Sequence, residues 1–210
     1  MWRLLAFLVL FCSAHAMAVE EPKHDLLVAD GAFSIRQYSP MIVAEVTVQG
    51  EMREAGSRGF RPLADFIFGN NSVATEIEMT APVARTAAPR NQDTSVKIEM
   101  TAPVTRVETD TNQWVVSFVM PEHWTIDTLP KPNNSDVNIR EVVSEMVAVV
   151  KFSGRSTELK HREKQKELEA WIQDSGYEII GEPRYAGYSP PWTPAELRRN
   201  EVMIPVALER

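Results

Sequence analysis

The residue types that most often carry catalysis are sparse in this sequence. Cys12 is the only cysteine, and the histidines beyond residue 18 are His24, His123 and His161. Nucleophilic hydrolysis needs a serine or cysteine close to a histidine, which is itself oriented by an acid. The sequence has no G-x-S-x-G motif, and nothing in it places one of these histidines beside a nucleophile. We interpret the three histidines as solvated surface residues and predict no resident catalytic site.

Metal, phosphate and nucleic-acid chemistry have equally little support. The sequence contains no H-x-x-x-H, H-E-x-x-H or acidic calcium-loop spacing, and no glycine-rich phosphate loop. The chain of 210 residues has a formal net charge of -7, which disfavours non-specific attraction to phosphate backbones. We therefore predict neither a metal site nor a nucleic-acid partner.

Two unusual segments stand out instead. Residues 77–83, Ile-Glu-Met-Thr-Ala-Pro-Val, recur without change as residues 98–104. A proline inside a strand confines that strand to an edge or a bulge, because proline cannot donate to the ladder. The repeat favours two equivalent places where a strand bends or leaves a sheet. Direct ligand contact is the less favoured alternative.

The second segment is rich in proline and aromatic residues and runs from residue 185 to residue 194. Its prolines restrict the backbone, while Tyr185, Tyr188 and Trp192 form an aromatic wall. A basic pair, Arg198 and Arg199, follows closely. Aromatic faces beside cations suit a planar, apolar ligand that carries carboxylates. A structural loop held by ion pairs explains the same residues equally well.

The first residues have the pattern of a secretory signal. Arg3 precedes an apolar run over residues 4–12, and small residues follow at Ala14, Ala16 and Ala18. The run is shorter than the roughly 20 residues that span a bilayer. We predict a signal peptide over residues 1–18, export to the periplasm or beyond, and no stable membrane span after cleavage. A retained signal anchor is the alternative.

Hydrophobic periodicity predicts the elements that would position these residues. Alternating residues 33–38 and 41–48 predict two strands, which the short Ser39-Pro40 turn would join as an antiparallel hairpin. Apolar residues at three- and four-residue steps predict a helix over residues 51–68, with a bend or restart at Pro62. Further strands are predicted over residues 75–83, 96–104 and 112–121.

The second half of the sequence repeats this plan. Strands are predicted over residues 137–140 and 146–152, a helix over 157–174, and strands over 177–180, 185–188 and 202–206. Each half is thus strand, strand, helix and further strands, although identity between the halves is faint. We predict an α+β fold, a distorted β-barrel of two pseudo-repeated halves flanked by helices. A flexible segment over residues 19–30 precedes this domain, which spans residues 31–210.

In this order the motifs resemble those of the SOUL haem-binding family, above all the two Met-Thr-Ala-Pro-Val copies and the Arg-Arg-Asn-Glu-Val segment. The resemblance implies a distorted β-barrel that binds haem or another porphyrin in a hydrophobic cleft between the first helix and the aromatic, proline-rich loop. Carried onto this chain, the cleft wall would be Met52, Ala55, Phe60, Leu63 and Ile67, facing Tyr185, Tyr188 and Trp192. Lysines that mammalian relatives offer to the propionates correspond to Asp65 and Thr193 here, and the candidate replacements are Arg53, Arg58, Arg61 or Arg198.

The sequence therefore predicts an exported tetrapyrrole carrier or buffer that is not an enzyme and that holds its ligand with little or no axial ligation. The alternative is a binding module for another hydrophobic ligand or for a protein partner, with haem incidental.

Overall fold

The computed structural model describes residues 20–72, 95–110, 112–190 and 192–209. The predicted signal peptide, the predicted strand over 75–83 and the first Met-Thr-Ala-Pro-Val copy lie outside these residues. Two long helices, α1 (Met52–Ile67) and α2 (Glu158–Gln173), accompany a sheet of mostly antiparallel strands. The strands are β1 (His24–Asp30), β2 (Phe33–Tyr38), β3 (Met41–Gln49), β4 (Asn71–Ser72), β5 (Val104–Asp110), β6 (Gln113–Val119), β7 (Lys131–Pro132), β8 (Asn138–Val142), β9 (Glu145–Ser153), β10 (Tyr177–Ile179), β11 (Arg184–Gly187) and β12 (Arg199–Leu208).

The main sheet has the order β1-β2-β9-β12-β11-β5-β6-β3-β8, with β10 paired to β12, and it curls into a half-barrel. The order is symmetric about the β11–β5 pair. On one side stand β12, β9 and β2, and on the other stand β6, β3 and β8. α1 packs on β3 and β6, and α2 packs on β9 and β12. The predicted fold class, an α+β distorted barrel flanked by helices, is confirmed.

The predicted hairpin between residues 33–38 and 41–48 is wrong. β2 pairs with β1 and β9, whereas β3 pairs with β6 and β8. The turn between them cannot close a ladder, because the Ser39 N–H donates to the Lys23 carbonyl at 3.0 Å and Pro40 has no N–H to give. Each half of the chain therefore pairs its first strand with the second strand of the other half.

The predicted strand over residues 96–104 is also wrong for most of its length. Residues 95–103 are irregular, and β5 begins at Val104, directly after Pro103, whose peptide bond with Ala102 is cis. Proline cannot donate to a ladder, so the strand starts where donors become available. The irregular stretch docks on α1 instead, since Ile98 is buried and its N–H donates to the Ile67 carbonyl at 2.7 Å.

The segment predicted to be flexible, residues 19–30, contains β1, which pairs with β2 from His24 to Asp30. Four residues before it, 20–23, form an N-terminal strap against other parts of the chain. The Ala102 N–H donates to the Glu20 carbonyl at 2.9 Å. Glu21 forms an ion pair with Arg199 at 2.8 Å. The strap and β1 thus add an ordered edge to the predicted domain.

Strand alternation gives the sheet two differently built faces. The face that carries both helices, the helix face, buries two large apolar clusters that include Trp114, Val116, Leu168 and Val202. The opposite face buries a smaller cluster, which consists of Tyr38, Val147, Val149, Ala186 and Met203. Residues that follow one another on a strand therefore point into different environments.

Two glycines of α1 allow the helix to lie unusually close to the sheet. A Cβ atom on Gly59 would overlap the side chain of Val116, and one on Gly56 would come within 2.9 Å of the Arg106 guanidinium. The small helix face therefore serves helix–sheet packing. α1 also runs unbroken through Pro62, where a bend or restart was predicted. No helix among the described residues is long and apolar enough to cross a membrane.

Replacing Gly59 with alanine tests this close approach. We expect Gly59→Ala to lower the free energy of unfolding by about 1–2 kcal/mol, because overpacking outweighs the roughly 1 kcal/mol that alanine contributes as a helix former. Ser57→Ala, on the exposed side of the same helix, is the control and should be neutral or slightly stabilising. Urea unfolding measures both. A Gly59→Ala protein as stable as the parent would contradict the required contact.

Candidate ligand-binding surfaces

The helix residues of the predicted cleft divide into buried and exposed groups. The side chains of four of them face the sheet and are at most 2 % exposed: Met52, Ala55, Leu63 and Ile67. Arg53 is exposed. Phe60 is 38 % exposed, and its ring packs edge-on against Phe118 with centroids 5.3 Å apart. On α1, a ligand would thus meet Arg53 and Phe60 first.

The residues predicted from the proline-rich segment also separate. Tyr185 is buried on the helix face, in the same apolar cluster as Met52 and Ala55. Tyr188 packs with the cluster of the opposite face. Trp192 is 82 % exposed, and Arg198 donates from Nε to the Thr193 carbonyl at 2.8 Å. The structure does not bring these four residues together with the exposed residues of α1 into one cleft.

The strongest polar cluster on the opposite face centres on Glu201, whose side chain is fully buried. Arg36 donates two hydrogen bonds to its carboxylate, at 2.9 and 3.1 Å. Arg199 donates two more, at 2.9 and 3.1 Å, and the Tyr188 hydroxyl donates a fifth at 2.6 Å. The Arg199 guanidinium also lies 3.8 Å from the Tyr188 ring centroid. Glu201 is not among the predicted site residues, although it lies within the Arg-Arg-Asn-Glu-Val segment.

The surroundings of Glu201 and Tyr188 determine which of these two groups is ionised. Burial opposes ionisation of Glu201, but hydrogen bonds and positive charge from Arg36 lower the pKa of its carboxyl group nonetheless. Burial and the negative charge of Glu201 raise the pKa of Tyr188, which keeps that hydroxyl protonated and donating. Since Glu21 also pairs with Arg199, two arginines balance two glutamates. Five hydrogen bonds and balanced charges make this a structural network.

The prediction that His161 is a solvated surface residue is wrong. Its side chain is fully buried on α2, edge-on to the rings of Phe152 and Tyr185. Nε2 lies 2.7 Å from the Ser156 hydroxyl oxygen. The charged neighbours of His161 in sequence misled the prediction, because this position of α2 faces the sheet. The structure therefore does place a histidine beside a serine.

This serine–histidine pair has no orienting acid within the described parts of the chain. The Nδ1 atom of His161 is buried with no hydrogen-bond partner among the described residues, so no acid orients the ring. Burial and the charges of Arg106 and Arg162 lower the pKa of His161 to about 4, which makes the imidazole a weak base at neutral pH. Arg106 also donates to the Ser156 hydroxyl at 3.3 Å. These contacts fit a structural role in seating α2.

A groove with a basic lining opens beside the proline-rich segment. It has a volume of about 620 Å³, within the usual range for small-molecule sites. Its larger apolar residues are Leu26, Phe33, Phe152 and Leu197, and its basic residues are Arg36, Lys151, Arg198 and Arg199. No carboxylate is among the described residues that line it. The groove, which we call the basic groove, thus combines an apolar surface with positive charge, and it includes Arg198 of the predicted set.

A second cavity, which we call the acidic cavity, lies where β3 begins and where β6 and β8 end. Its volume is about 430 Å³, and the N-terminal strap forms one wall. The charged residues of its lining are Glu20, Glu21, Glu122, Glu141 and Lys23. The two openings therefore differ in the sign of their charge, which no sequence pattern indicated.

Comparison with known proteins shows one family over nearly the whole chain. The family model described as SOUL heme-binding protein matches residues 19–96 and 89–205. Heme-binding protein 2 from Homo sapiens is 29% identical over 200 residues, covering 91% of this chain and 88% of the human protein. Heme-binding protein 2 from Mus musculus is 28% identical over 177 residues, covering 83% and 78%.

Solved structures give a matching result for the fold. The crystal structure of the EcmrR C-terminal domain superposes with a TM-score of 0.56, covering 84% of this chain and 97% of that one. At 12% sequence identity, this likeness concerns the fold alone.

Removing the buried carboxylate tests the Glu201 network. We expect Glu201→Gln to lower the free energy of unfolding by about 3–5 kcal/mol, because Arg36 and Arg199 lose the charge that balances them in a buried setting. Glu45→Gln is the control, since Glu45 pairs with the half-exposed Arg140 at 2.8 Å and should cost less than about 1 kcal/mol. Urea unfolding compares the two. Equal losses in the free energy of unfolding of the two variants would show that burial of the Glu201 network adds nothing to stability.

The lowered pKa of His161 predicts a pH dependence of stability. Between about pH 6.5 and pH 4 the unfolded chain takes up a proton that the folded chain excludes, so acidification favours unfolding. The free energy of unfolding should fall by about 2 kcal/mol from pH 7 to pH 5 through this one group. His161→Gln should remove that part of the slope, and His123→Gln, at an exposed position, should keep it. Denaturant unfolding at both pH values provides the measurement.

Proposed function

This chain belongs to the SOUL heme-binding protein family, and on that premise we propose that it binds haem or a related tetrapyrrole reversibly in the basic groove. The observation that carries the choice of site is the sign of its charge. Haem is a flat apolar macrocycle with two carboxylates, and the basic groove offers apolar surface beside cations. The acidic cavity would repel the same ligand.

Lys151 is central to this site. Arg36 and Arg199 are engaged by Glu201 and Glu21, so their charge is already balanced within the protein. Lys151 is exposed at the groove, and its side chain makes no hydrogen bond or ion pair within the described parts of the chain. Its ammonium group can therefore pair with a propionate. Arg198 adds a second positive charge at the same opening.

The groove favours binding of the macrocycle over ligation of its iron. No histidine, cysteine, methionine or tyrosine is among the described residues of its lining. The ring would be held by apolar contact with Leu26, Phe33 and Leu197 and by pairing of its carboxylates. An iron-free porphyrin should bind about as tightly as haem.

A simple estimate gives the expected strength. Burying roughly 400 Å² of apolar ligand surface contributes about 10 kcal/mol at 25 cal/mol per Å². Lost translational and rotational freedom opposes association by about 4 kcal/mol or more, so about 6 kcal/mol at most remains, which corresponds to a Kd of tens of micromolar or weaker. Such affinity suits a carrier or buffer that releases its ligand. The signal pattern of residues 1–18 supports our proposal that it acts outside the cytoplasm.

Haem titration followed at the Soret band tests the site. We expect Lys151→Glu and Leu197→Asp each to weaken binding about tenfold, because the first reverses a charge and the second puts a carboxylate on the apolar wall. Both positions are exposed, so neither substitution should disturb folding. Lys166→Glu makes the same charge change on the outer side of α2 and should leave the affinity unaltered.

Other results of the titration would distinguish a wrong binding site from a wrong function. Loss of binding in Phe60→Asp or Trp192→Ala, with normal binding in both groove variants, would move the site to the cleft that the family resemblance implies. No saturable binding of haem or protoporphyrin IX by the parent protein would overturn the function. Another hydrophobic ligand or a protein partner would then be the better assignment, and mass spectrometry of co-purified ligand would identify it.

A further inference from the structure

The acidic cavity has an apolar interior. Strand ends and the loop after β6 supply its larger apolar residues, which include Met41, Ile42, Val119, Met120, Trp124 and Val142. Its volume of about 430 Å³ lies within the usual range for small-molecule sites. Apolar walls at an opening contribute affinity for an apolar ligand body.

Its charges are not balanced within the protein. Lys23, the one cation among the described residues of its lining, pairs with Glu122 at 2.5 Å, and Glu21 pairs with Arg199. The Glu20 carboxylate only accepts a hydrogen bond from the Glu122 N–H at 2.8 Å. The Glu141 side chain makes no hydrogen bond or ion pair with any described residue. Two carboxylates thus remain uncompensated at the opening.

Trp124 adds a group that recognises cations. Its indole lines the cavity and packs against the apolar cluster beneath α1. The face of an indole ring attracts an organic cation within about 6 Å, and desolvation strengthens the attraction. Its Nε1–H is buried without a hydrogen-bond partner among the described residues.

From this combination we infer that the acidic cavity is a second ligand site, selective for small amphipathic organic cations such as amines on an aromatic or aliphatic body. The apolar wall holds the body, while Glu20, Glu141 and the Trp124 ring face the charge. The site is separate from the basic groove and does not depend on tetrapyrrole binding there.

Three probes with one aromatic body and different charges test the inference. Isothermal titration calorimetry on the full chain compares the cation 1-naphthylmethylammonium, the neutral 1-naphthalenemethanol and the anion 1-naphthaleneacetate at neutral pH. The amine should bind at least about tenfold more tightly than the alcohol, and the anion should not bind measurably. Equal binding of all three, or no binding of the amine, would overturn the inference.

Two variants make the test specific to the cavity. Glu141→Gln should weaken the amine several-fold and leave the alcohol unaffected, whereas Lys23→Gln should tighten the amine by releasing Glu122. Glu182→Gln, an exposed carboxylate elsewhere, is the control and should change neither. Unchanged amine binding in Glu141→Gln would contradict the assignment. Displacement of haem that keeps increasing with amine concentration, without saturating, would show one shared site, which would also contradict it.

Discussion

The ionised Glu201 carboxylate, buried between two arginines, is the interaction on which the barrel's opposite face depends. Arg36 lies on β2, Glu201 and Arg199 lie on β12, and Tyr188 follows β11, so one carboxylate connects strands far apart in sequence. A buried charge is tolerated only when it is paired and hydrogen-bonded, and each partner here is held by the others. This constraint fixes Arg36 and Arg199 in the lining of the basic groove, where Lys151 is a further cation that the network does not engage.

The pairing of the strands interlocks the two halves of the chain. β2 of the first half pairs with β9 of the second, and β8 of the second half pairs with β3 of the first. The related arginines Arg36 and Arg140 occupy matching places in these two pairs. Their surroundings differ, because Arg36 is buried against a fully buried carboxylate, whereas Arg140 is half-exposed where it pairs with Glu45. The two matching strand pairs therefore place their related arginines in chemically different surroundings.

Local periodicity was sufficient to predict both helices and most strands, because amphipathic spacing reflects which face an element buries. It could not predict the partner of a strand, so β2 and β3 were joined as a hairpin when each pairs across the two halves. Periodicity also could not show which position of a charged helix faces the sheet. The prediction that His161 lies on the surface was wrong for this reason. The site was harder still. Arg199 looked like a ligand cation in sequence, but its charge is matched by Glu201, which only the three-dimensional pairing reveals. No sequence pattern shows that an arginine lies beside a fully buried acid.

The ion pair between Glu21 and Arg199 spans the two openings, since Glu21 lines the acidic cavity and Arg199 lines the basic groove. An anion that draws Arg199 away would leave Glu21 without its counter-charge, and a cation near Glu21 would do the converse to Arg199. Thermodynamic linkage is reciprocal. An occupant of one opening that favours the broken or the intact ion pair changes the affinity of the other opening for its ligand, and that ligand changes the first affinity by the same factor. A single exchangeable ion pair thus joins the linings of the two openings, and any coupling between their occupants would act through it.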